Sequence, residues 1–161
     1  MKNEFEMTDL GLMRYFLGIE VKQTQHGMFM SQQKYATNIL KKFKMDKCKP
    51  VDTPIEASTR LSKYDVGTIV NVTLYKQLAG SIMYLMATRP DIAFLARYIS
   101  RFMESPKDCH WKVGKRVLRY IVGTSTYGLS YVASADSKLV GYTNSDYARC
   151  IDDQKDRKSV V

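Results

Sequence analysis

The stretch SPKDCHWKVGKRVLRYIVG, residues 105–123, has the pattern of a long amphipathic helix. Ser105 is placed to be the N-cap, Pro106 the first helical residue, and Asp108 the acidic member of a shortened capping box. Gly123 is placed to end the helix. The predicted buried face holds four apolar residues: Trp111, Leu118, Ile121 and Val122. A helix with one apolar face must pack on a core, so this stretch predicts a helical layer.

Two further helices are predicted upstream. The first spans about residues 74–87 and has one apolar side, made of Leu74, Leu78, Ile82 and Leu85. The second begins at Pro90, and its apolar residues recur at helical spacing: Ile92, Leu95, Ala96, Ile99, Phe102 and Met103. The second of these helices must therefore pack against another part of the protein.

Gly80 lies inside the first of these helices. Glycine in a helix costs about 0.5–1 kcal/mol relative to alanine, which indicates that something approaches the backbone closely. One interpretation is a neighbouring helix. The other is a nucleic-acid groove, because Lys76, Gly80 and Tyr84 recur at intervals of four along one face.

The patterns of the remaining segments predict strands and one more helix. Residues 15–21 and 28–31 predict a hairpin, and Ser31 is placed to cap a helix over residues 32–43. Residues 128–133 and 138–144 predict a second, C-terminal hairpin. The predicted class is α+β: an N-terminal hairpin, about four helices and a C-terminal hairpin. The predicted segments are 1–48, an irregular linker at 49–71, the helices at 72–126, and 127–161.

The charge of the chain favours polyanionic partners. It has 25 Lys and Arg against 16 Asp and Glu, a formal charge of +9 and a pI near 9.4. On the helix of residues 105–123, a basic stripe recurs at i, i+3, i+4 and i+7: Lys112, Lys115, Arg116 and Arg119. Such a row can contact phosphates, or it can be an ordinary solvated face. The pattern alone leaves both interpretations open.

Cysteine and hydropathy patterns exclude several other classes. Cys48, Cys109 and Cys150 form no C-x-x-C pair, so neither a disulfide framework nor a zinc ribbon is indicated. His110 follows Cys109 directly, and adjacent helical residues point about 100° apart, which disfavours chelation of one ion. The N-terminus is not a signal peptide, and residues 78–87 are half the length of a membrane span. We therefore expect an intracellular protein that binds no membrane.

Several motifs occur together in a known order. They include DLGLMRYFLGIEV, YKQLAGSIMYLMATRPDIAF, HWKVGKRVLRYIVGT and GYTNSDYARCIDD. In order and spacing they resemble the Pol polyprotein of copia-type LTR retrotransposons, over about residues 5–159. The resemblance implies the C-terminal part of a reverse transcriptase, from the end of the palm through the thumb and connection into the start of an RNase H domain.

The resemblance also implies roles for two elements. Residues 16–31 look like the hairpin that grips the primer end, and residues 75–86 look like the thumb helix along the minor groove of the template–primer. By this likeness Lys76, Gly80 and Tyr84 would face the duplex. The basic stripe would lie near the path of the hybrid. The implied partner is an RNA/DNA hybrid or another nucleic-acid duplex.

Catalysis is not expected from this chain. The family's polymerase site includes an aromatic-x-Asp-Asp turn, and this sequence contains none. Asn144 stands where the RNase H site has its first aspartate, and Asp146 matches the second. Phosphoryl transfer with two Mg²⁺ ions, as in the parent family, needs anionic ligands, so no metal or other cofactor is expected. Residues 154–156 also depart from the family pattern, and we interpret the chain as a truncated, decaying copy.

The alternative is a protein-interaction or effector-like role in a chain of retroelement ancestry. Residues 116–119 spell the R-x-L-R string of secreted oomycete effectors. The string falls inside a predicted helix, far from the N-terminus, so we give it less weight. An incomplete C-terminal sheet would also leave a strand edge exposed, which predicts possible self-association.

Overall fold

The structure is a computed structural model that describes residues 11–133. Over these residues the chain forms one antiparallel sheet and four α-helices. The strands, in sheet order, are β1 (Tyr15–Phe16), β2 (Ile19–Thr24), β3 (Gly27–Ser31) and β4 (Gly128–Val132). The helices are α1 (Gln33–Lys42), α2 (Val72–Leu85), α3 (Ala93–Ser100) and α4 (Asp108–Gly123), and a 3₁₀ turn at Pro90–Ile92 leads into α3. The predicted α+β class is confirmed.

Strands β2 and β3 form the predicted N-terminal hairpin, and β4 extends it. The first predicted strand, residues 15–21, is wrong as one strand, because Leu17 and Gly18 have positive φ angles of 45° and 78° and turn β1 back against β2. Strands β2 and β3 pair from Glu20↔Ser31 to Thr24↔Gly27, and β4 pairs with the other edge of β3. Gly27 has a φ of +145°, and a Cβ there would lie 2.1 Å from the carbonyl oxygen of Tyr131. Glycine is therefore required for β4 to approach β3. The other run of the predicted C-terminal hairpin, residues 138–144, lies outside the described residues, and the predicted segment boundaries stay a prediction.

The predicted helix cap at Ser31 is wrong. Ser31 is the last residue of β3 and pairs with both Glu20 and Gly128, so its backbone is held extended and α1 begins at Gln33. The Glu20 carboxylate accepts a hydrogen bond from the Lys34 backbone N–H at 2.8 Å instead. A carboxylate near a helix N-terminus also complements the helix dipole.

The core lies between the four helices. On α2 the buried residues are Tyr75, Leu78, Ala79, Ile82 and Leu85, whereas Leu74 is 41% exposed. The prediction that Leu74 belongs to the buried face is wrong, because Tyr75 takes that place and its hydroxyl donates to the Ile99 carbonyl at 2.8 Å. The apolar face predicted around α3 is confirmed, with Ile92, Leu95, Ala96, Ile99 and Phe102 buried and Met103 packed against them.

Helix α4 begins two residues later than predicted. The Val70 N–H donates to the Pro106 carbonyl and the Asp108 N–H donates to the Thr68 carbonyl, each at 3.0 Å. This pairing keeps the chain extended up to Lys107, so Ser105 is not the N-cap. Lys107 is the N-cap, and its N–H donates to Nδ1 of His110 at 3.0 Å. The helix ends at Gly123, as predicted.

Helices α2 and α4 approach each other closely at Gly114. A Cβ on Gly114 would lie 2.6 Å from Cδ2 of Leu78, whereas a Cβ on Gly80 would meet nothing within 4 Å. Within residues 11–133, the interpretation of Gly80 as a helix-packing glycine is therefore wrong. On α4, Leu118 and Ile121 are buried as predicted, and Trp111 and Val122 are half-buried against the core.

The connection between α1 and α2 is irregular, as predicted, and it packs on the helices. Leu61 is buried, and its N–H donates to the Tyr98 hydroxyl at 2.7 Å. Nowhere in residues 11–133 is there a helix both long and apolar enough to cross a membrane.

Candidate nucleic-acid interface

The exposed face of α2 brings together three of the predicted site residues. Lys76, Gly80 and Tyr84 follow one another at intervals of four, and all three are exposed. Lys76 makes no ion pair with any residue between 11 and 133. The space above Gly80 is open. Among the described residues, this face is therefore open above Gly80 and has no ion pair at Lys76.

Tyr84 joins this face to the N-terminal hairpin. Its hydroxyl donates to the Leu17 carbonyl, and its ring packs edge-on against Tyr35 with the ring centres 4.7 Å apart. Gly18 has a φ of +78°, and a Cβ there would lie 3.0 Å from the Tyr84 hydroxyl oxygen. The hydroxyl of Tyr84 is thus already engaged, and the tip of the β1–β2 turn is held beside α2.

The hairpin side of this surface is apolar and basic. A groove of about 560 Å³ lies beside β1 and β2 and includes Arg14, Lys22 and Lys34 as well as Glu20. The Lys34 ammonium lies 5.7 Å from the ring centre of Tyr15, within the range of a cation–π contact. Several large apolar side chains are exposed here: Leu12, Met13, Tyr15, Phe16 and Leu17.

Half of the basic stripe of α4, Arg116 and Arg119, lies against the linker, whereas Lys112 and Lys115 are exposed. Arg116 forms an ion pair with Glu56 at 2.6 Å, and Nε of Arg119 donates to the Lys49 carbonyl at 3.0 Å. Lys112 pairs with Asp108 one turn earlier, at 3.0 Å. Lys115 alone among the four has no hydrogen bond or ion pair with the described chain. The two interpretations of the stripe, as phosphate contacts or as a solvated face, did not predict these contacts with the linker.

A groove of about 440 Å³ separates the linker from α4 and collects the whole stripe. Its lining residues are Met45, Glu56, Thr59, Lys112, Val113, Lys115, Arg116 and Arg119. Four cationic side chains and one carboxylate therefore face the same space. Between residues 11 and 133, no hydrogen bond or ion pair joins this stripe to Lys76, Gly80 or Tyr84.

Arg89 was missed by the sequence interpretation. It is only 2% exposed, and Nε and Nη2 donate to the two carboxylate oxygens of Asp91 at 2.9 and 2.7 Å. Nη1 and Nη2 also donate to the carbonyl and hydroxyl of Thr124. The rings of Tyr120 and Tyr127 lie 5.7 and 5.4 Å from the guanidinium. A signal was present in the string Thr88-Arg89-Pro90-Asp91, where an acid follows the arginine at a helix start.

A polar cluster between the linker and α4 was also missed. Asp65, Cys109 and His110 each bring a possible ligand atom, and these atoms lie within 4.8 Å of one another. Nδ1 of His110 accepts the Lys107 N–H, so Nε2 carries the proton and donates to the Ser62 carbonyl at 3.1 Å. Both ring nitrogens are thus engaged, and the cluster works as a hydrogen-bonded anchor. The expectation that no metal binds stays a prediction.

Burial sets the ionisation of this cluster. It lowers the pKa of His110 below its ordinary 6.5, although the Ser62 carbonyl and Asp65 partly oppose the shift. Burial raises the pKa of the Cys109 thiol, and the nearby charge of Asp65 adds to the effect. Both groups are therefore held in their neutral forms. Neutral His110 keeps Nδ1 available as an acceptor for the helix N-terminus.

Asn144 and Asp146 lie outside the described residues, and their interpretation as a vestigial nuclease position stays a prediction.

Known proteins share these features of sequence. The family described as reverse transcriptase (RNA-dependent DNA polymerase) matches residues 1–57. The Pol polyprotein of transposon RE2 from Arabidopsis thaliana is 34% identical over 95% of the chain, and that of transposon TNT 1-94 from Nicotiana tabacum is 38% identical over 96%. The chain is similar to retrotransposon Pol polyproteins. The resemblance to such polyproteins inferred from the motifs is confirmed.

The chain covers only a small part of these Pol relatives. It spans 10% of the RE2 polyprotein and 12% of the TNT 1-94 polyprotein. A protein named secreted RxLR effector protein 161, from Plasmopara viticola, is 43% identical over half of the chain and 58% of its own length. No solved structure matches the chain.

Proposed function

We propose that this Pol-related chain binds an RNA/DNA hybrid or nucleic-acid duplex and neither extends nor cuts it. The observation that carries the proposal is the open face of α2 above Gly80. A helical glycine destabilises the helix by about 0.5–1 kcal/mol, and no described side chain uses the space it leaves. A nucleic-acid backbone is a ligand that such a flat, open helix face can admit closely.

Charge supports the same partner. Lys76 is exposed beside Gly80, Lys115 points into the groove beside α4, and the whole chain carries a formal charge of +9. Each phosphate neutralised by a lysine releases condensed counterions, so binding is favoured at low salt. We also propose an intracellular location for the protein, because the implied ligand is an intracellular nucleic acid.

The proposed lack of catalysis rests on residues of the chain. No aromatic-x-Asp-Asp string occurs in the sequence, and Asn144 offers a neutral oxygen where the family has an aspartate. Two divalent ions are held in such sites by anionic ligands, which stabilise the attacking and leaving oxygens. We therefore expect bound nucleic acid to remain intact when Mg²⁺ is added.

Fluorescence anisotropy of a labelled RNA/DNA hybrid over a salt series tests this function. We expect log Kd to rise with log salt on a slope that reports several phosphate contacts, and no cleavage with Mg²⁺. The combined variant Lys76→Ala/Lys115→Ala should lower the slope by about 2, since each lost contact removes about 0.9. These two lysines are preferred to Arg116 and Arg119, which also hold the linker.

The matched control is Lys41→Ala/Lys47→Ala, which removes the same charge from exposed positions outside both surfaces. Equal slopes for the two double variants would contradict the proposed sites. Nuclease activity on the hybrid that co-purifies with the protein would contradict the proposed lack of catalysis.

A protein-interaction role is the second candidate, and the similarity to the RxLR effector favours it. In this chain the R-x-L-R string lies within α4, and its Val117 and Leu118 are fully buried. A receptor could read this string only if α4 unfolded. A folded protein that shows no salt-dependent binding to the hybrid would favour the second candidate over the first.

A further inference from the structure

The Glu56 carboxylate of the linker lies against the basic stripe of α4. Its Oε1 is 2.6 Å from Nη1 of Arg116, and the Glu56 side chain is 63% exposed. Nη2 of the same guanidinium donates to the Thr53 hydroxyl at 3.1 Å. The linker thus presents a carboxylate and a hydroxyl to a helix that otherwise displays cations.

The donors around Glu56 are only partly used. Nε of Arg116 is buried and has no hydrogen-bond partner among the described residues. Of the Arg119 guanidinium, only Nε is engaged by the described chain, and Lys115 is unpaired there. A single carboxylate satisfies few of these donors, whereas a phosphate has more oxygens to offer and suits the planar fork of arginine.

The ion pair is also easily exchanged. Exposed pairs contribute little to stability because water and salt compete with them, and Glu56 can rotate into solvent without being buried elsewhere. Among the described residues, four cations and one carboxylate line the groove of about 440 Å³, so a departing Glu56 leaves a strongly positive space there.

We propose that the groove between the linker and α4 is a phosphate-binding site in which Glu56 occupies the place of a phosphate oxygen. Glu56 therefore lowers the affinity of the groove and must leave Arg116 when a phosphate enters. The inference rests on the proposed function, since it names how the α4 surface would take a nucleic-acid phosphate. It differs from that function in assigning an internal competitor.

The variant Glu56→Gln tests whether the Glu56 carboxylate competes with phosphate for Arg116. Glutamine keeps an oxygen that can accept from Arg116, so the linker stays attached, but it removes the negative charge. We expect the variant to bind the hybrid about two- to five-fold more tightly, the range expected when an exposed ion pair is lost. Asp52→Asn is the matched control, because Asp52 is an exposed acid of the same linker that does not line the groove.

Inorganic triphosphate serves as a second probe, measured by isothermal titration calorimetry on protein shown by circular dichroism to be folded. Tighter binding of both probes by Glu56→Gln, with no comparable change in Asp52→Asn, supports the inference. Equal effects of the two variants mean that only net charge matters and overturn it. Binding of triphosphate by neither the natural chain nor Glu56→Gln also overturns it. If triphosphate binds more tightly to Glu56→Gln while no form of the protein binds the hybrid, the groove is a phosphate-binding site but the proposed binding of nucleic acid is wrong.

Discussion

Arg89 shows how one buried charge can join distant parts of the chain. Its guanidinium links the start of α3, through Asp91, to Thr124 at the end of α4. Burial raises the pKa of the Asp91 carboxyl, but the hydrogen bonds and charge of Arg89 outweigh this effect and leave the pKa below its usual value. We expect Arg89→Ala to lower the free energy of unfolding by about 3 kcal/mol, because it removes the paired cation of Asp91, which keeps the Tyr120 hydroxyl as a donor, and the guanidinium donors to Thr124.

Urea unfolding followed by circular dichroism measures this loss. Arg89→Lys is the control, since it keeps the charge but not the planar fork, and we expect it to lose less. A loss below about 1 kcal/mol for Arg89→Ala would show that the network contributes only as an exposed pair does.

His110 makes stability depend on pH. Because burial lowers its pKa in the folded chain, the unfolded chain binds more protons just below the ordinary pKa of 6.5. Stability from neutral His110 is therefore present above about pH 6.5 and is lost as the pH falls toward the folded-state pKa. Asp65, Lys107 and Cys109 are the other ionisable groups around the ring.

Urea unfolding at pH 7.5 and 5.5 measures this dependence. In His110→Gln, whose side chain does not titrate, we expect a smaller difference between the two pH values than in the natural chain. An unchanged difference would mean that other groups, and not His110, cause the dependence.

Sequence periodicity predicted the helices well but could not predict what begins them or which residue ends their apolar faces. Ser105 has the right type and position for a cap, yet the segment around Pro106 pairs with Val70, which is far away in sequence. In the same way, Leu74 fits the apolar spacing, but the core accepts the larger ring of Tyr75. Local propensity is a weak guide wherever a long-range hydrogen bond or packing contact competes with it.

Gly80 gives a prediction at the scale of the helix. In Gly80→Ala the new methyl group meets open space, so we expect the free energy of unfolding of the protein to rise by about 0.5–1 kcal/mol. If the duplex contacts this face, the same variant should bind the hybrid more weakly. Stability by urea unfolding and affinity by anisotropy would then change in opposite directions.

Gly114→Ala is the matched glycine control, because its Cβ would lie 2.6 Å from Cδ2 of Leu78 and should destabilise the fold. An unchanged hybrid affinity in Gly80→Ala would contradict the proposed role of this face.

At the scale of the whole molecule, stability is distributed unequally. The buried apolar cluster consists of residues from the helices and from the segments that join them. In the strands of residues 11–133, Val21 is the one buried apolar residue. We expect the slowest amide hydrogen exchange in α2, α3 and α4, and faster exchange through local opening in β1 and β2. Uniform protection across sheet and helices would contradict this order.

The candidate site could be predicted only in part. The spacing of Lys112, Lys115, Arg116 and Arg119 correctly placed them on one side of α4. Their partners could not be predicted, because Glu56 and Lys49 lie 60 and 70 residues earlier in an irregular segment without periodicity. Spacing identifies residues that share a face, but it does not indicate which loop folds over that face.

The pairing of β3 with β4 has a consequence for synthesis. Gly128 pairs with Ser31, so β3 acquires this neighbour only after roughly a hundred further residues have been translated, which takes about 5–20 seconds on a ribosome. During that interval the nascent hairpin carries an open edge, and an open edge is a template for pairing with other chains. We therefore expect the hairpin to be open to pairing with other chains until β4 has been made.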